Sequence, residues 1–170
     1  MSKAVMLSIR PKWCEKIASG EKTIEVRKTR PKLQTPFKCY IYRAKGTVPH
    51  IINGKWVQME VGGTVIGEFT CDRIYGLAPL NHAPDDVEQQ ACMTREEIVW
   101  YLNGVGYCWH ISDLKIYDKP KEPAEFHTWK KCKSCSKSGY ESTACIYDEN
   151  CMVPVAITKA PQSWCYVEEG

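Results

Sequence analysis

The sequence predicts a mixed α+β domain, a small mixed sheet or barrel with short helices packed at its ends. Three observations point there. Runs of strand character are scattered along the whole chain, two or three short helical stretches carry start and stop signals, and there is neither βαβ alternation nor a glycine-rich phosphate loop. At 170 residues the chain is long enough for one domain, against a prior of roughly 150 residues per domain. The single domain is read as residues 1–170, with a cysteine-rich insertion at 127–151.

The elements follow in chain order. "AVMLSI", 4–9, is short and apolar apart from Ser8, as a buried strand is. Pro11 suits the first turn of a helix, and Trp13, Cys14, Ile17 and Ala18 share one helical face before Gly20 stops it. "TIEVR" alternates, so Ile24 and Val26 point one way and Thr23, Glu25 and Arg27 the other. "FKCYIYRA", 37–44, is a strong aromatic and β-branched strand, and Asn53-Gly54 between apolar runs signals a hairpin. Residues 62–77 read as one long or bent strand with Gly67 as a bulge.

The middle turns helical. Pro84 and acidic residues open one helix over 83–92, and Thr94 with Glu97 forms a capping box ahead of "EIVWYLNG", which Gly104 ends. Residues 108–118 return to strand. After a turn-rich connector and the polar insertion, "VPVAIT" and "SWCYV" close the chain as strands.

A composition of 44% hydrophobic and 25% charged residues is globular and excludes disorder. No apolar run approaches the ~18 residues of a membrane span, and "MSKAVMLSIRPKW" lacks the apolar core of a secretory signal, so a cytoplasmic protein without a membrane partner is expected. The net charge of +3 conceals an asymmetry: residues 1–55 carry thirteen Lys and Arg against three Asp and Glu. Such a field attracts nucleic acid or nucleotides, unless folding interleaves the two parts into a mixed surface.

The segments "IRPKWCEKIASGEKTIEVRK", "WHISDLKIYDKP" and "PQSWCYV" together resemble the ASCH domain of the PUA-like superfamily, in the form common in bacteria and their phages. The family's Gly-x-Lys-x-x-Glu-x-Arg signature is met by Gly20, Lys22, Glu25 and Arg27. The resemblance implies a PUA-like β-barrel with short helices at its ends. It also implies a cleft that accommodates RNA or a modified nucleoside, floored by Lys22, Glu25 and Arg27. Arg27 would pair with a phosphate or base edge, while Glu25 would accept from an exocyclic amine or act as a base. Gln162, Ser163 and Trp164 belong to the closing motif and are candidates to read or stack on a base. Tyr40, Tyr42, Trp56 and Trp109 are further stacking candidates, although large rings usually go to the core. Read without the family, alternating charges on a strand are most often a solvated face with weak ion pairs.

An enzymatic alternative rests on Lys22 and Glu25. Some ASCH proteins are amidohydrolases acting on N4-acetylcytidine with a lysine and threonine of the motif and a distant glutamate; others are similar to single-strand nucleases. Here Lys22 matches, but Glu25 stands where the threonine would be and Ala91 where the glutamate would be, leaving Thr23, Glu88 and Glu96 as substitutes. A carboxylate cannot replace a nucleophilic hydroxyl in kind. A protein partner engaging the insertion is a third possibility.

Cys132, Cys135, Cys145 and Cys151 have C-x2-C-x9-C-x5-C spacing, with His127 before them. Four soft ligands within twenty residues suit a structural zinc, and a loop of free thiols is the other reading. The remaining cysteines lie in apolar stretches and read as small buried hydrophobes, and His110 reads as structural.

Overall fold

The computed structural model describes residues 3–77, 83–131 and 152–168. A five-stranded sheet is built from β1 (Lys3–Ile9), β3 (Phe37–Arg43), β6 (Thr64–Cys71), β9 (Ser112–Lys121) and β12 (Trp164–Glu168). Its order is β12-β1-β3-β6-β9, with β1 and β3 parallel and the other pairs antiparallel. A second sheet, ordered β2-β8-β7, joins β2 (Ile24–Arg27), β8 (Tyr107–His110) and β7 (Ile74–Gly76). Two hairpins complete the strands: β4 (Gly46–Ile52) with β5 (Lys55–Val61), and β10 (His127–Lys131) with β11 (Met152–Ala156). The helices are α1 (Pro11–Ala18), α2 (Val87–Ala91) and α3 (Arg95–Leu102). The protein is thus mostly β with a few short helices. Its strands form four separate hydrogen-bonded sheets, with no closed barrel among the described residues.

β1 carries apolar residues on both faces, Ala4 to Leu7 in succession, because both of its faces are covered. Val5, Leu7 and Ile9 enter one core cluster with Cys14 and Ile17 of α1, while Ala4 and Met6 enter a second cluster with Tyr40, Tyr42 and Phe126. A bulge in β6 changes which parity faces which side: Ile41 pairs with Gly67 but Tyr42 with Val65, so Val65 joins the second cluster while Phe69 and Cys71 join the first. Gly67 is required there, since a Cβ would lie 2.5 Å from the Lys115 carbonyl oxygen. A third cluster packs α2 and α3 on the small sheet through Ile24, Val26, Val87, Ala91, Ile98 and Leu102.

The turns follow their residues. Asn53 and Gly54 take φ of 50° and 74°, both left-handed, as a two-residue hairpin turn demands. Thr94 Oγ1 accepts from Glu97 N at 3.2 Å while Glu97 Oε2 accepts from Thr94 N at 2.8 Å, completing the capping box of α3.

Two strands expected to be continuous are broken, because the chain changes sheets within each. Residues 62–77 divide into β6 and β7 at Asp72 and Arg73, and 108–118 divide into β8 and β9 at Ile111. Side chains fasten the two crossing points together: His110 Nδ1 lies 2.6 Å from Asp72 Oδ1, and Ser112 Oγ donates to the Thr70 carbonyl at 2.9 Å. Burial alone would raise the Asp72 carboxyl, but the His110 hydrogen bond and charge hold it below its ordinary value.

Residues 127–131, the first of the stretch read as an insertion, form a regular strand paired from His127↔Ala156 to Lys131↔Met152. Cys14, Cys71 and Cys108 are buried, and burial pushes each thiol up to about 12; Cys92 and Cys165 are only half-buried. Among the described residues no helix is long and apolar enough to cross a membrane.

Candidate functional site

Lys22, Glu25 and Arg27 come together where β2 leaves the turn after α1. Gly20, at φ 81°, ends that helix, and Lys22 N donates to the Lys16 carbonyl at 2.9 Å, fixing the turn. Alternation then acts as expected: Ile24 and Val26 enter the third cluster, leaving Glu25 and Arg27 on the other face. That face is not solvated, however. Lys22, Glu25 and Arg27 are only 2%, 6% and 6% exposed.

Glu25 stands between two cations, with Lys22 Nζ 3.4 Å from its Oε2 and Arg27 Nη2 3.0 Å from its Oε1. Lys22 Nζ also donates to the Ala91 carbonyl at 2.7 Å and lies 4.9 Å from the centre of the Trp13 ring. Arg27 Nη2 donates to the Ser8 carbonyl at 2.8 Å, and its Nη1 to the carbonyl and hydroxyl of Ser163, each at 3.3 Å. The cluster therefore ties β2 to α2, to β1 and to the approach to β12. One donor is left over: Arg27 Nε is buried with no partner among the described residues.

The three side chains floor a cleft of about 530 Å³, within the range of ligand sites. Its walls include Arg10, Lys12 and Trp13 from the start of α1, Met93, Glu97, Trp100 and Tyr101 from the α2–α3 region, and Gln162. Of the closing motif, Gln162 lines the cleft and Ser163 holds Arg27. Trp164 packs on Trp109 and Tyr166 at centroid distances of 6.2 and 5.3 Å, and its Nε1 donates to Thr29 Oγ1 at 3.0 Å. Tyr40, Tyr42 and Trp109 are core, whereas Trp56 is 73% exposed on the β4–β5 hairpin and is not a cleft residue.

Trp13 and Trp100 are among the cleft residues that the sequence reading missed, as are Arg10, Lys12 and Tyr101. Trp13 counted towards the buried face of α1. Trp100 lay within an apolar run, yet Ile98 and Leu102 at i,i+4 spacing mark the inner face and leave position 100 outside. Cys132, Cys135, Cys145 and Cys151 lie outside the described residues. Among the described residues, no group of three or more His, Cys, Asp or Glu is placed to hold a metal ion.

The protein is thus a mostly β domain with short helices and a buried Lys-Glu-Arg cluster after its first helix. The family model for the ASCH domain matches residues 7–143, and the chain belongs to that family, generally RNA-binding and PUA-like. Among solved structures it is similar to ASCH from Zymomonas mobilis, with a TM-score of 0.51 and 17% identity, over 70% of this chain and 73% of that chain. A serine-to-alanine mutant of the Zymomonas mobilis protein gives 0.50 and 16%, with coverage of 70% and 73%. At such identity the likeness is one of fold. No curated protein matches the chain.

Proposed function

We propose that this ASCH domain binds RNA or a modified nucleoside in the cleft floored by Lys22, Glu25 and Arg27. The supporting observation is the composition of that cleft: a buried acceptor flanked by two cations, exposed Arg10 and Lys12, and aromatic walls, in a volume suited to a nucleoside. Because Arg27 also ties three elements together, its removal would test folding as much as binding. Gln162, which is exposed and lines the cleft, is the better probe.

In titrations with short single-stranded RNAs and a nucleoside panel, we expect saturable binding by the wild type. Gln162→Glu, which places a carboxylate where an anionic ligand would run, should weaken it by about tenfold or more. Absence of wild-type binding across the panel would refute the reading.

The hydrolytic alternative, on N4-acylcytidine or single-stranded RNA, has the approach of Lys22 to Glu25 in its favour. Against it, Thr23 Oγ1 donates to Gln90 Oε1 at 3.2 Å, and Thr23, Glu88 and Glu96 are not among the cleft residues. The same samples incubated with N4-acetylcytidine or labelled RNA should return them intact. Product released by the wild type but not by Lys22→Ala would reverse this choice.

A separate proposal concerns Cys132, Cys135, Cys145 and Cys151 as ligands of a structural zinc. It is supported by their spacing and by the pairing of Lys131 with Met152, the residues that flank the cysteine stretch in sequence. Metal analysis of protein purified without added metal should find about one zinc per chain, and less than roughly half would withdraw the proposal.

A further inference from the structure

α3 turns Ile98 and Leu102 into the core and leaves Trp100 on its outer side, 85% exposed. Trp100 nonetheless lines the cleft, next to Tyr101 and with Trp13 contributed by α1. An indole so open to water contributes almost nothing to the folded core, and its flat surface is available to a ligand. The neighbouring rings each carry an ammonium group. Lys12 Nζ lies 4.3 Å from the centre of Trp13, and Lys28 Nζ lies 5.5 Å from the centre of Tyr101. Both lysines are exposed, and their rings belong to different helices.

Rings on two helices, each with a lysine beside it, offer the chemistry that a single strand needs, in which every base is flanked by phosphates. A free nucleoside would use the plane and leave both cations idle. A duplex keeps its bases stacked and offers the cleft none.

We propose that Trp100 stacks on one base of a single-stranded nucleic acid seated in the cleft, with Lys12 and Lys28 holding the phosphates on its two sides. This rests on the cleft reading above and adds the class of ligand: a base within a strand, not a free nucleoside. Trp100 is then the residue that selects for an unstacked base, while the buried Lys22–Glu25–Arg27 floor meets the base edge.

The test compares a seven-nucleotide single-stranded RNA, its component nucleosides and the corresponding blunt duplex. Each is titrated into wild type, Trp100→Ala, Trp100→Phe, Gln162→Glu and the double variant Lys12→Gln/Lys28→Gln. None of the changed side chains belongs to the core clusters, and unchanged thermal midpoints would verify intact folding. The wild type should prefer the single strand. Trp100→Ala should weaken it by about 5- to 150-fold, and Trp100→Phe should retain most of the affinity. The double variant should flatten the slope of log K against log salt by about 1.4.

Unchanged binding by Trp100→Ala, with Gln162→Glu still weakened, would overturn the stacking proposal and leave the cleft reading standing. Nucleosides bound as tightly as the strand, or the duplex preferred, would overturn the ligand class. No binding of any probe by the wild type would refute the cleft reading itself. A concentration-dependent dimer in light scattering that Trp100→Ala abolishes would assign the exposed indole to a second copy of the chain instead.

Discussion

Glu25→Ala should cost about 3–5 kcal/mol of folding stability, read as a shift in the urea midpoint at neutral pH with little change in slope. Among the described residues the carboxylate is the one negative group placed between Lys22 and Arg27. Without it two buried cations face each other with water largely excluded, and a charge left unpaired in that setting costs far more than a surface ion pair contributes. The lysine would keep the Ala91 carbonyl and the arginine those of Ser8 and Ser163, so the loss should be large without being total. Replacing all three residues with apolar ones of similar volume, Lys22→Met/Glu25→Leu/Arg27→Met, should recover much of the stability while abolishing ligand binding. A Glu25→Ala protein within about 1 kcal/mol of wild type would show that the three charges are not coupled through burial.

Trp109→Ala should cost a similar amount, about 3–5 kcal/mol in the same denaturation experiment. Trp109 has no exposed surface and stands directly across from Glu25 in the β2–β8 register, on the same face of the small sheet. Its ring meets Phe37 edge-on at 5.8 Å and Trp164 at 6.2 Å, joining the small sheet to the five-stranded one beneath the cleft floor. Truncation would open a cavity between the sheets. Trp109→Phe keeps most of the contact area and should cost clearly less, also because Trp109 Nε1 is buried without a partner among the described residues. Equal losses for alanine and phenylalanine would show that the indole is held by something other than packing.

How much of this could be read from the chain depended on whether the signal was local. Asn53-Gly54, the Thr94–Glu97 capping box and the α1 stop at Gly20 are local, and each takes the geometry its residues require. The motif was also legible in place: alternation put Glu25 and Arg27 on one face. It could not show what covers that face, because the covering groups, Ala91, Ser8 and Ser163, come from three distant segments. The breaks at Asp72 and Ile111 escaped for the same reason. A strand that changes sheets keeps its β-forming residues, and only partners elsewhere reveal the switch. Barrel closure, which the pairing among the described residues does not show, is a global property as well, since strand content does not determine which edges meet.

The stem formed by β10 and β11 bears on how such a protein can change over generations. With Lys131 held opposite Met152, whatever lies between them begins and ends at a fixed point. As a general rule, closing a longer connection costs little more than closing a short one, about 0.6 kcal/mol for each doubling of length. Among the described residues the cleft draws on positions between Ser8 and Ala44, between Met93 and Tyr101, and on Gln162, and on none from the stem. A lineage can therefore lengthen, shorten or exchange the sequence beyond the stem, acquiring or losing a metal or a partner there, while the stem itself and the described cleft residues stay as they are.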